Sequence, residues 1–192
     1  MLIVKSKLLP LLLVGFLAVG LAQQPATNPD SPVIAKWQAL IPKIETLFQR
    51  RRYKCPMPPE QSQMGIVDAG DFRAGLSVAL VDWCHGGAYM DWIVAVQLEG
   101  NEPVLSRFTN PDGSVENVEF LQGASVMHGA DVKLAPEKNA IYGIHWDNDQ
   151  QMHLTCGAGA YVWNRKMRAF RLAAELSKQA TRTYCQKVQQ QQ

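Results

Sequence analysis

The chain has 192 residues, 47% of them hydrophobic, with 19 lysines and arginines against 17 aspartates and glutamates. So small an imbalance supplies no global field to draw the protein onto nucleic acid or an anionic membrane surface, and neither is expected as a partner. The length suits one domain with a core of its own.

Lys5 and Lys7 precede an apolar stretch from Leu8 to Leu21 that closes on Gly20-Leu21-Ala22 before Gln23. This is the layout of a cleavable secretory signal over residues 1–22. The apolar run contains Pro10 and falls short of the roughly 20 residues that span a bilayer, so no membrane span is expected after cleavage. Cleavage removes two lysines and no acid, which leaves 17 basic and 17 acidic residues. The expectation is an exported protein, periplasmic or secreted, with a single domain over residues 23–192. Its polar ends, 23–30 and 188–192, read as disordered.

Ser31 and Pro32 open a helix, as N-cap and first helical residue. Val33, Ile34, Trp37, Leu40, Ile41, Ile44, Leu47 and Phe48 follow at spacings of three and four, one apolar stripe of an amphipathic helix. Pro42 either kinks it or splits it into two short helices meeting near Ala39 to Ile41. Arg50, Arg51, Arg52 and Lys54 end it, where cations complement the helix dipole. Cys55 to Gln63, with Pro56, Pro58 and Pro59, is a connector.

Beyond it the period becomes strand-like. Leu76 to Trp83 and Trp92 to Leu98 are almost wholly apolar, as strands covered on both faces are. Shorter strands are predicted at Val104–Phe108, Val115–Phe120, Asp131–Leu134, Ala140–Trp146, Gln151–Cys156 and Ala160–Trp163. Gly100-Asn101, Asn110 to Gly113 and Asn148-Asp149 supply turns between them. Asn164 to Arg168 turns a last hairpin into Ala169–Ala173, followed by a helix to about Tyr184; a helix capped by Asn164 is the alternative. The predicted fold class is α+β: an antiparallel β-sheet meander with the N-terminal amphipathic helix packed on it, clasped by disulfides.

Cys-x-x-Gly-Ala-Tyr occurs twice, from Cys84 to Tyr89 and from Cys156 to Tyr161. Both copies read as tight turns leaving a strand, with Gly157 and Gly159 tolerating positive φ. Four cysteines in an oxidising compartment favour two disulfides. Equivalent turns at one end of a sheet pair Cys84 with Cys156, which leaves Cys55 for Cys185.

Reactive signatures are weak. Cys84 and His85 are neighbours, but adjacent strand residues point to opposite faces, so a disulfide role suits Cys84 better than a nucleophile. His145, Asp147, Asp149 and His153 share one loop without metal-ligand spacing, and hairpin polarity explains them; no metal and no cofactor is assigned. Gly123 to Met127 lacks the final glycine of a nucleophile elbow. Val67-Asp68-Ala69-Gly70-Asp71-Phe72 resembles the acidic calcium loops that precede strands in FG-GAP-like extracellular repeats. Gly70 and Phe72 replace the alternate acids such a loop needs, so no calcium ligand carries over.

No catalytic residue is assigned. Tyr89, Trp92, Tyr161 and Trp163, beside the two motifs, form the candidate binding surface for a protein, peptide or glycan. The chain reads as an exported, non-catalytic binding or structural module. The alternative is a small secreted hydrolase or enzyme inhibitor, with Asp68, Asp71, His85 and Asp147 converging only in the fold.

Overall fold

A computed structural model describes residues 31–51, 64–85, 91–110, 112–124, 128–148 and 153–190. The predicted signal, the leader to residue 30, the arginine and lysine at 52 and 54, the connector, Cys55 and Tyr89 lie outside the described residues. Two helices open the described chain, α1 (Pro32–Gln38) and α2 (Ile41–Arg50). Ser31 sits at the N-cap with extended backbone, but its side chain makes no capping hydrogen bond. The break between the helices follows from Pro42, which has no N–H to donate back to Gln38 and takes a first-turn position of α2 instead. Leu40 N–H closes α1 tightly on Trp37 O, and Leu40 O then accepts the first bonds of α2.

Eleven strands follow: β1 (Gly65–Phe72), β2 (Leu76–His85), β3 (Asp91–Glu99), β4 (Glu102–Leu105), β5 (Phe108–Thr109), β6 (Val115–Glu116), β7 (Glu119–Ala124), β8 (His128–Ala135), β9 (Ala140–Asn148), β10 (Leu154–Asn164) and β11 (Ala169–Leu172). A third helix, α3 (Ala174–Gln190), closes the described chain. The fold is thus a sheet-dominated α+β fold, mostly antiparallel.

The strand order departs from a simple meander. It runs β1-β2-β3-β7-β8-β9-β10-β11-β5-β6, and β5 joins β11 in parallel through Phe170↔Phe108 and Arg171↔Thr109. Meanwhile β4 pairs with β3, and Ser106 N–H donates to Ala95 O just beyond it. The single run Glu102–Thr109 therefore touches β3 at one end and β11 at the other, so the strands curl around a common core. Phe72, Leu80, Ile93, Phe108, Phe120, Val132, Ile141 and Phe170 meet there, drawn from eight different strands.

Two further apolar layers lie on the outer faces. Alternation along β2 and β3 sends Ala79, Val81, Val94 and Val96 outward against Trp37, Ile44 and Phe48. Trp37 is wholly buried, and its indole N–H donates to Ser77 Oγ at 3.2 Å. Burial of each such side chain contributes about 1.5–3 kcal/mol. Across the molecule's other wall, Tyr142, Ile144, Ala158 and Ala160 pack on Ala180, with Leu176 and Tyr184 alongside.

Helix α3 does more than cover a face. From Leu154 to Ala160 one edge of β10 has no strand beside it among the described residues, since β11 pairs only with Tyr161 to Asn164. Helix α3 runs along this edge. Ala160 N–H donates to Ser177 Oγ at 2.9 Å, Ala158 N–H to Thr181 Oγ1 at 3.0 Å, and Cys156 is bonded to Cys185.

That disulfide corrects the predicted pairing of Cys84 with Cys156 and of Cys55 with Cys185. The two copies of the motif are not equivalent turns at one sheet end, so their cysteines never meet. Cys84 is fully buried and disulfide-bonded, which removes it as a thiol nucleophile.

Candidate functional site

The second copy of the motif is not a turn. Cys156 to Tyr161 runs straight through β10, paired with β9 from Cys156↔Trp146 to Tyr161↔Ile141. Neither Gly157 nor Gly159 has a positive φ; among the described glycines that conformation belongs to Gly75, Gly100, Gly113 and Gly123. The role of the two motif glycines is spatial. A Cβ on Gly157 would stand 2.9 Å from His145 Cε1, and one on Gly159 would stand 3.3 Å from Tyr161 Cε2. Gly143, directly opposite Gly159 in the register, receives Phe120 in the same way, 3.0 Å from where its Cβ would be. A patch of bare backbone two strands wide thus lets three rings lie flat on the sheet.

These rings differ in freedom. Tyr161 is wedged edge-on to Phe108 and Phe120, with centroids 5.2 and 5.9 Å away, and its hydroxyl end lies over Gly159 beside Leu172. His145 is exposed at the rim. Above the rings opens a cleft of about 630 Å³, lined by residues of β7, β8, β9 and β10 and by the first turns of α3. Its lining is mainly apolar, and Leu121 and Leu172 stand exposed beside it at 42% and 38%.

Two polar side chains on the floor of this lining, His145 and Tyr161, make no hydrogen bond or ion pair with any described residue. Glu119, by contrast, alternates with core-facing Val118 and Phe120 and directs its side chain to the other face of β7. Partial desolvation lifts the Glu119 carboxyl above its ordinary range. Burial lifts the Tyr161 phenol, and the charge of Glu116 adds to that rise. Asp131 also lines the cleft, but its carboxylate is held by Lys133 Nζ at 2.8 Å. No lysine or arginine lines it among the described residues.

The described members of the predicted aromatic surface, Trp92, Tyr161 and Trp163, do not share one face. Trp92 alternates with Ile93, which faces the curled core, and so lies on the outer face of β3. Tyr161 and Trp163 turn to the inside. Trp163 is half-buried against the core, its ring 5.2 Å from that of Phe170, and of the three described residues of the predicted surface only Tyr161 lines the cleft.

The acid groups weighed for chemistry do not converge either. Asp68 lies within β1, and the segment likened to a calcium loop is itself that strand. Its carboxylate accepts the backbone N–H groups of Ala69 and Leu134, pinning β1 to β8. Leu134 pairs with Ile141, whereas Asp147 pairs with His128, six residues along β8. That places Asp68 and Asp147 about 20 Å apart along the strand. Asp71 is exposed on β1, and the side chain of His85 is outside the described residues. Among the described residues no three histidines, cysteines or acids gather closely enough to hold a metal ion; Asp149 lies outside them.

Sequence reasoning missed Phe120 and Leu172, and it weighed His145 only as a metal ligand. The available signal was the glycine spacing: Gly157 and Gly159 two apart in one strand, with Gly143 in the next, leave one sheet face without side chains. Comparison with known proteins finds no family model, no characterised protein and no solved structure that matches the chain. Fold and site together define a disulfide-bonded, sheet-dominated α+β domain with an open, ring-lined cleft.

Proposed function

We propose that the chain is an exported, non-catalytic binding domain that takes its partner into the cleft over Gly143, Gly157 and Gly159. The observation that carries this reading is the cleft itself: about 630 Å³, mainly apolar, with two polar groups on its floor, His145 and Tyr161, that find no described partner within the protein. Small-molecule sites have this size and this pairing of apolar wall with few convergent polar groups. The polar groups are too sparse for a glycan, whose many hydroxyls need partners, and the cleft suits a compact amphiphilic molecule better. Export is supported by the Cys156–Cys185 disulfide and by the disulfide-bonded Cys84, since such bonds persist in oxidising compartments. No helix among the described residues is long and apolar enough to cross a membrane.

Amide-resolved NMR screening of a fragment collection tests the reading. Shifts centred on Gly143, Gly157 and Gly159 are expected. Fragments that map instead to the outer face of β3, around Trp92, would overturn it.

A further inference from the structure

We propose that this cleft selects a small neutral alcohol or phenol, one hydroxyl carried on a compact apolar body. The inference rests on the cleft being the binding site, and it names the chemistry of the occupant from the two polar groups on the floor. Gly157 and Gly159 are two residues apart in β10 and share the inner face with Tyr161, so their Cβ positions stand about 6.6 Å apart. His145 pairs with Gly157 and lays its ring there, with Nε2 3.3 Å from where the Cβ would be. Tyr161 reaches back along β10, and its hydroxyl lies 3.6 Å from the Cβ position of Gly159. Imidazole and phenol thus hold adjacent places on one floor without bonding each other. An oxygen seated between them comes within hydrogen-bond reach of both, since His145 is exposed at the rim and free to turn a nitrogen toward it.

The two groups ask for a hydroxyl. The phenol donates, and a neutral imidazole carries one acceptor nitrogen, so a hydroxyl accepts from Tyr161 and donates to His145. A hydrocarbon would leave both unmet. A charge of either sign would give up its hydration on a floor that offers no ion to pair with. Asp131 is held by Lys133, Glu119 is turned to the other face of β7, and no lysine or arginine lines the cleft among the described residues. The apolar body has its own seat beside the pair. Leu172, directly opposite Tyr161 in the register, comes within 3.7 Å of the Cβ position of Gly159, and Phe120 comes within 3.0 Å of that of Gly143. The volume between them admits one or two rings.

The test is an NMR titration of the full, oxidised chain with four matched probes: phenethyl alcohol, ethylbenzene, phenethylammonium and hydrocinnamate, read at the amides of Gly143, Gly157 and Gly159. The alcohol is expected to bind about three- to tenfold tighter than ethylbenzene, and tighter than either charged probe. Tyr161→Phe keeps the ring wedged against Phe108 and Phe120 and removes only the hydroxyl. The variant is expected to melt with the parent, to bind ethylbenzene as the parent does and to lose the preference for the alcohol, which separates lost recognition from lost folding. Equal affinities for alcohol and ethylbenzene, a charged probe that binds tightest, or a Tyr161→Phe variant that keeps its preference would overturn the hydroxyl selection. If glycine-floor amides still shift in that case, the cleft remains the binding site. If none of the four probes moves those amides, both readings fall.

Discussion

Thr181 stands over Ala158 in the same relation as Ser177 over Ala160 and Cys185 over Cys156. The match is geometric. Four residues of helix rise about 6 Å and two residues of strand about 6.6 Å, so an antiparallel helix repeats its contact on every second residue of a strand. The open edge of β10 is thereby satisfied by hydroxyl groups, in place of a further strand. Thr181→Val keeps the shape and removes the acceptor from Ala158 N–H, at an expected cost of about 1–2 kcal/mol by denaturant midpoint. Thr183→Val is the control: its hydroxyl bonds only Gln179 O on the helix's own exposed face, and its loss is expected to stay within about 0.5 kcal/mol.

The third rung is covalent. Cys156 and Cys185 close a loop of 29 residues, for which chain entropy gives about 3–4 kcal/mol. Replacing both by alanine is expected to cost up to that amount and to free α3 first, seen as hydrogen exchange in α3 ahead of β2 and β3. With Cys156 and Cys185 joined to each other, a non-reducing peptide map is expected to show Cys55 linked to Cys84.

Stability is expected to carry the signature of Asp68. Burial holds its carboxyl above the ordinary value, and the bonds from Ala69 and Leu134 only partly offset that. The folded protein therefore holds this proton more tightly than the unfolded chain. The stabilisation is complete below the unfolded pKa of about 4 and is lost as pH rises through the higher folded value. Asp68→Asn keeps an acceptor for Leu134 N–H and cannot ionise. Melting curves across this range are expected to fall for the parent as pH rises and to stay flatter for the variant. A steeper fall in the variant would contradict the assignment.

The motif glycines are expected to differ in tolerance although they lie two residues apart. At Gly157 an added methyl meets the exposed ring of His145, which can swing into solvent, so Gly157→Ala is expected to cost less than about 0.5 kcal/mol. At Gly159 it meets Tyr161, which Phe108 and Phe120 hold in place, and Gly159→Ala is expected to cost about 1–3 kcal/mol. Thermal melts of the two variants decide.

Much of the secondary structure was legible in the residues. The apolar runs around Val78 and Val94 mark central strands because both faces are buried. Asn164 marks the final turn because its Oδ1 accepts the N–H groups of Lys166 and Met167. Which strands become neighbours was not legible: apolar pattern tells which face of Phe108 is buried, and nothing in it points to Phe170. The disulfide partners were misread for a related reason, since identical letters around Cys84 and Cys156 say nothing about where each lies along its strand. The cleft escaped because its floor consists of missing side chains, and a search for reactive or aromatic residues passes over glycine.

The run Glu102–Thr109, which bridges β3 and β11, also constrains how the molecule can form. The hairpins of β1 to β3 and of β8 to β10 involve near neighbours, whereas Phe108 must find Phe170 across five intervening strands. Such a distant closure comes at the entropic cost of a long loop and belongs to the slow part of folding. Until residues 169–172 are available the core has an open seam, so a growing or truncated chain that stops short of them presents two raw strand edges to its surroundings. Completeness at the C-terminal end is thus a condition for a closed core, independent of anything the cleft binds.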